Sequence, residues 1–217
     1  MATAPLTRVL EREVRVWRHF WRSTVIFNFV NPLMFLAALG VGLGGLVDRS
    51  AGNVDGLPYL DFITPGLMAA GALQASALNS LWPIMAGIKW IGTFQAMVSS
   101  PISPAAVYGG EMLWNAARST LGAVMFLGAA AVLGGVPSLW GVLAIPAAAL
   151  CALSVAAPLT AWSATQENDV PFSVVARLGV IPVFLFSGTF FPVSQLPSGF
   201  RPLVALSPLW NGVGLCR

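Results

Sequence analysis

Apolar stretches free of charge recur along the chain at 23–47, 62–88, 119–166 and 178–200, separated by short polar clusters. A helix rises about 1.5 Å per residue, so roughly 20 apolar residues cross a hydrocarbon layer about 30 Å thick. The first, second and last stretches each suit one crossing. The third has room for two and is interrupted by Gly134-Gly135-Val136-Pro137-Ser138, a turn signal. The pattern therefore predicts an all-α polytopic membrane protein with five complete transmembrane helices.

Residues 1–22 read differently. On a helical wheel Leu6, Val9, Leu10, Val14, Trp17, Phe20 and Trp21 share one side, and Arg8, Glu11, Arg12, Arg15, Arg18, His19 and Arg22 fill the other. Glu13 alone falls on the apolar side. Arginines opposite a tryptophan-edged apolar face predict an amphipathic helix lying in the cytoplasmic headgroup region, ahead of a transmembrane domain over 23–217.

Within the spans, polar residues are sparse. The first holds Asn28, Asn31 and Pro32 and ends in a glycine-rich run in which Gly40 and Gly44 have the spacing of close helix contacts. The second, about 61–87, carries Gln74 and Asn79, which suit either substrate contact or helix–helix hydrogen bonding. A third helix is predicted over about 105–133. Its Glu111 and Arg118 lie two turns apart on one face and read as a structural ion pair or an interface anchor, because isolated charges in a bilayer are costly. A fourth span over about 139–163 and an inner loop at 164–177 follow. The fifth span is expected at about 178–191. Prolines 192, 197, 202 and 208 make 191–208 too broken for a span and predict an outer re-entrant segment. A sixth span begins near Leu209, and the chain is expected to stop inside it.

Composition and charge sharpen the picture. The 217 residues are 57% hydrophobic and 9% charged, with a mean hydropathy of +0.79, far from the roughly 25% charged residues of soluble domains. No segment has the length and polarity of an extramembrane catalytic head. Seven Lys/Arg fall on the expected inner side (Arg8, Arg12, Arg15, Arg18, Arg22, Lys89, Arg177) and two outside (Arg49, Arg201), which predicts a cytoplasmic N-terminus. Asp48, Arg49 and Asp55 belong to the expected outer connection. Ten arginines against one lysine hint at a GC-rich bacterial genome, and hence at a bacterial plasma membrane. Cys151 and Cys216 read as small apolar fillers.

Chemistry-bearing patterns are missing from the sequence. One histidine and no dense acidic pair within the spans exclude a metal cluster, and no phosphate-cradling GxxxxGK[ST] run occurs. No catalytic residue, resident cofactor or nucleic-acid partner is expected.

The inner connection at 88–104 is the most specific segment. It reads Lys89-Trp90-Ile91-Gly92-Thr93-Phe94-Gln95-Ala96-Met97-Val98-Ser99-Ser100-Pro101-Ile102-Ser103. Trp90, Ile91, Phe94 and Met97 can form one apolar face, Gly92 and Thr93 permit close approach, and Pro101 and Pro104 end the loop. The stretch resembles the coupling-helix segment of type 2 ATP-binding-cassette (ABC) export permeases, with Gly92, Thr93, Ser100, Pro101 and Ser103 matching. Trp90 and Gln95 stand where that family usually has acids, so a more apolar or hydrogen-bonded seat is expected. Two further segments resemble the same family. One is 59–67, Tyr-Leu-Asp-Phe-Ile-Thr-Pro-Gly-Leu; the other is Phe186-Ser187-Gly188-Thr189-Phe190-Phe191-Pro192 with Gln195-Leu196-Pro197 and 206–210, Leu-Ser-Pro-Leu-Trp.

Nearest in look are the nodulation-signal lipo-oligosaccharide and drug-resistance exporter permeases. The resemblance implies the permease subunit of an exporter of an amphipathic substrate (lipo-oligosaccharide, glycolipid or hydrophobic drug), working as a homodimer among membrane lipids. ATP and magnesium would sit on a separate ABC ATPase subunit, which Trp90, Ile91, Gly92, Thr93, Phe94, Gln95 and Met97 would contact. The alternative is a membrane scaffold or regulator that binds such an ATPase without transporting anything.

Overall fold

The computed structural model describes residues 3–45, 56–136, 138–193, 197 and 199–217, and among these the regular elements are all helices, joined by turns and short irregular stretches, without a strand. The expected outer connection around Asp48, Arg49 and Asp55, together with Pro137, Gln195 and Leu196, lies outside the described residues.

Helix α1, Thr3–Phe35, is followed by a π-helical turn, Leu36–Leu43. At about 1.5 Å per residue its 33 residues reach about 50 Å. The arginine-rich part and the apolar part, on either side of residue 22, form one rod, since between Arg8 and Asn31 there is no glycine or proline to break the helix. The apolar side of its first turns is not left for lipid alone. Val9 is buried against Gly110, where a Cβ would collide with it, and the Trp17 and Trp114 rings meet edge to face at 6.5 Å.

Helix α2, Tyr59–Asn79, ends earlier than expected. Pro83 lacks an amide hydrogen and its ring crowds the carbonyl four residues back, so the chain bends at Ser80 and Leu81 before α3, Trp82–Met85, and a π turn, Ala86–Trp90. The single span drawn over 62–88 is thus two helical pieces. Helix α4, Thr93–Val98, is short, and α5, Pro104–Val132, matches its expected range. Its start is set by Ser103, whose hydroxyl accepts from the Ala106 amide at 3.2 Å, and by Pro104 at the first position.

After a 3₁₀ turn, Leu139–Leu143, comes α6, Ala144–Ser163. Helix α7, Val170–Val174, passes through a π turn, Val175–Val180, into α8, Ile181–Phe186. This continuous run starts eight residues before the fifth span drawn from 178, with Pro171 in its first turn; Arg177 therefore lies on the helix and not in a loop. Two short helices follow, α9, Arg201–Ala205, and α10, Pro208–Cys216.

Helix α1 lies along α5, α2 along α6, and α10 against both α2 and α6. Leu36, Ile63, Leu67, Phe126 and Ala148 form one apolar cluster, and Leu73, Ala77, Cys151, Leu209 and Val213 a second. The two cysteines are unpaired. Small residues bring backbones together: Gly66 faces the Thr189 backbone at a distance that leaves a Cβ only 3.0 Å, and Gly212 leaves no room for one beside Cys151. The expected Gly40 and Gly44 contacts are made, to Leu60 and Tyr59 at the start of α2. By length and hydropathy two described helical stretches suffice to cross a membrane, Leu6–Gly40 and Trp140–Ser163, with Val170–Phe186 a shorter apolar one.

Candidate functional site

Three features could carry function: the 88–104 loop, a buried polar network, and a polar cleft beside it.

In the loop, Gly92 has φ +73°, a left-handed conformation that side chains with a Cβ rarely adopt, and it turns the chain into α4. The Phe94 ring packs on Gly87, where a Cβ would lie 2.9 Å from two ring carbons. Thr93 Oγ1 donates to the Gly87 carbonyl at 3.5 Å, at the limit of hydrogen bonding. The apolar face expected from Trp90, Ile91, Phe94 and Met97 is accordingly divided. Phe94 turns inward and Met97 is half-buried, whereas Trp90 is 59% and Ile91 72% exposed, with Gln95 and Val98 also outward. Gly87 makes the difference, because a side chain there would block the seat that Phe94 occupies.

Above the loop, hydroxyls and one amide join α2, α5 and α6. Ser76 Oγ donates to Asn115 Oδ1 at 2.8 Å and lies 3.0 Å from the Ala152 carbonyl; Asn115 Nδ2 reaches Ser80 Oγ at 3.4 Å, and Ser163 Oγ donates to the Ser80 carbonyl at 2.7 Å. All four polar residues are buried. Buried polar groups persist in low dielectric when they answer one another. Sequence reading missed this network, although Ser76, Ser80 and Asn115 are visible as rare polar residues in apolar runs.

Glu111 and Arg118 share a face of α5 without touching: among the described residues the ion pairs are Arg12 with Glu13 and Arg15 with Glu11, the latter at 2.6 Å. The direct pair is not formed, because seven helical residues hold the two side chains roughly 10 Å apart along the axis. Glu111 instead faces a small cavity of about 60 Å³ lined also by Glu13, Asn79, Asn115 and Thr160, with Arg118 at its edge. Glu111 Oε1 and Thr160 Oγ1 have no hydrogen-bond partner there. Glu13, which broke the apolar face of the N-terminal wheel, is accounted for by this cavity.

On its other side Arg118 lines a cleft of about 310 Å³ between α1, α2 and α5. Asn28, Asn31, Gln74 and Asn79 converge on it, with Thr24 and Ser119. Gln74 and Asn79 make none of the network's hydrogen bonds.

A chain of long apolar helices with glycine-sealed crossings, a few polar residues gathered inside, and an exposed apolar step on a short connecting helix has the build of a membrane-embedded subunit and not of a soluble catalyst. A sequence profile of the ABC-2 type transporter family matches residues 6–216, and the chain belongs to that family, whose members are membrane subunits served by a separate ATPase chain. Similar proteins include nodulation protein J of Rhizobium meliloti (strain 1021), 28% identical over 209 residues covering 96% of this chain and 78% of that protein. Nodulation protein J of Rhizobium leguminosarum bv. viciae is 28% identical over 96% of this chain and 79% of its own length. Its namesake in Bradyrhizobium diazoefficiens is 28% identical over 97% and 79%.

Proposed function

We propose that this chain is the permease subunit of an ATP-driven exporter that moves an amphipathic substrate, such as a lipo-oligosaccharide, glycolipid or hydrophobic drug, out across a bacterial plasma membrane. In this reading the N-terminus and the 88–104 loop face the cytoplasm, five complete spans and the start of a sixth cross the bilayer, 191–208 forms an outer re-entrant segment, and two copies assemble with two ATPase subunits. ATP and magnesium act on the ATPase chains. Their closure on ATP pushes the loop, and the bend at Ser80 and Leu81 lets the inner helical piece move relative to α2.

The observation that carries this reading is the exposed Trp90–Ile91 step beside α4, held out by the Phe94 ring on Gly87. On a connection that this reading places outside the hydrocarbon, such an apolar pair supports a partner surface. Co-purification with the ATPase subunit tests it. Ile91→Asp is expected to abolish association while the protein still inserts, and Trp90→Ala to weaken it. Undiminished association in both variants, or external labelling of a cysteine placed at Ser99, would overturn the assignment.

A further inference from the structure

We propose that the cleft between α1, α2 and α5 seats the anionic head group of an amphiphile, with Arg118 as its charge anchor and Asn28, Asn31 and Gln74 as its hydrogen-bonding wall. The inference depends on these three helices being in the bilayer and not on any ATPase partner.

Arg118 carries five N–H donors, and among the described residues its guanidinium makes no hydrogen bond and no ion pair. Glu13 and Glu111 line the smaller cavity with Arg118 and balance part of its charge without hydrogen-bonding it, so its N–H donors are left for an anion at hydrogen-bonding distance. Of the two cavities Arg118 borders, the smaller holds Glu13 and Glu111, whereas the larger is lined by no acidic side chain at all. A cationic ligand would therefore find only repulsion there. A neutral one would make no use of the charge that Arg118 brings to the cleft.

The shape suits a head group with its tail outside. About 310 Å³ is the lower end of small-molecule sites, and Asn31, Gly71, Ala75 and Leu78 on the rim are exposed, so the cleft opens sideways. An acyl chain would leave past Leu78 and Ala75 into the surrounding hydrocarbon while amides from α1 and α2 close on the polar end. The same chemistry fits a resident anionic phospholipid or an anionic cargo.

Native mass spectrometry of the full chain in detergent separates the possibilities. Wild type is expected to retain phosphatidylglycerol over phosphatidylcholine of the same acyl length by about tenfold, the size of one charge-assisted hydrogen bond. Arg118→Gln brings retention to near parity and Arg118→Lys keeps part of the preference. Should Arg118→Gln fail to insert, Gln74→Leu and Asn31→Leu, which keep the charge and spare the buried network, are expected to lower retention several-fold. Dodecyl phosphate supplies the second arm: Arg118-dependent capture of the single-chain probe but not of phosphatidylglycerol indicates cargo, and the reverse indicates a resident lipid. Equal retention of both lipids by wild type together with no Arg118-dependent capture of dodecyl phosphate, retention of both probes indifferent to these substitutions, or a disulfide joining two copies through Asn31→Cys overturns the proposal. ATPase co-purification is expected to survive Arg118→Gln, and its response to Ile91→Asp tests the permease reading separately.

Discussion

The aromatic ring of Phe94 rests on the backbone of Gly87, seven residues earlier, so closely that a single methyl group on Gly87 would lie 2.9 Å from two of its carbons. The contact ties α4 to the π turn before it and decides which side of the connection faces outward. Gly87→Val is expected to unseat Phe94 at about 1–3 kcal/mol, the usual cost of overpacking. The loop should then become accessible to limited proteolysis near Ser99 and Ser100, and ATPase association should fall about tenfold.

Asn115 is the hub of the buried network, accepting from Ser76 and Ser119 and donating to Ser80. Interhelical hydrogen bonds in membranes are worth about 0.6 kcal/mol on average and up to about 1.7. Asn115→Ala is expected to destabilise the detergent-solubilised protein by about 1–2 kcal/mol. In a double-mutant cycle with Ser76→Ala the two changes should be less than additive.

Two glycines on α2 offer an internal comparison. A Cβ on Gly66 meets the backbone of Thr189 at 3.0 Å, and backbone cannot rotate aside, whereas Gly71 has nothing within 4 Å. Gly66→Ala should lower the melting temperature, at about 1–3 kcal/mol. Gly71→Ala should leave it unchanged or raise it slightly, because alanine favours the helix over glycine by about 1 kcal/mol.

Val9 and Gly110 interlock where α1 crosses α5. Gly110→Ala is expected to loosen the first turns of α1 and speed trypsin cleavage at the arginines between residues 8 and 22. Trimming the opposing side chain with Val9→Ala should restore protection in the double variant, a reversal that general damage to α5 would not produce.

Much of the architecture is legible in the chain itself. The Ser103–Pro104 start signal placed α5, the Gly134-Gly135 break separated α5 from α6, and the loop motif pointed to the family. Pro83 was equally visible, yet the apolar run around it concealed the bend, since hydropathy averages over a break that one missing amide hydrogen creates. The inward turn of Phe94 depends on an empty volume at Gly87 that no periodicity reports. Glu111 and Arg118 looked like partners because spacing gives the face but not the reach along the axis. Asn28, Asn31 and Gln74 stood out singly, and only the packing of α1 against α2 and α5 brought them around one cleft.

Ser76 finds its acceptors 39 and 76 positions further along the chain. During synthesis, α2 is therefore made before either partner of this hydroxyl. Until Asn115 and Ala152 arrive, neither cross-helix acceptor exists, and the packing of α2 on α5 and α6 is completed only by segments made after it.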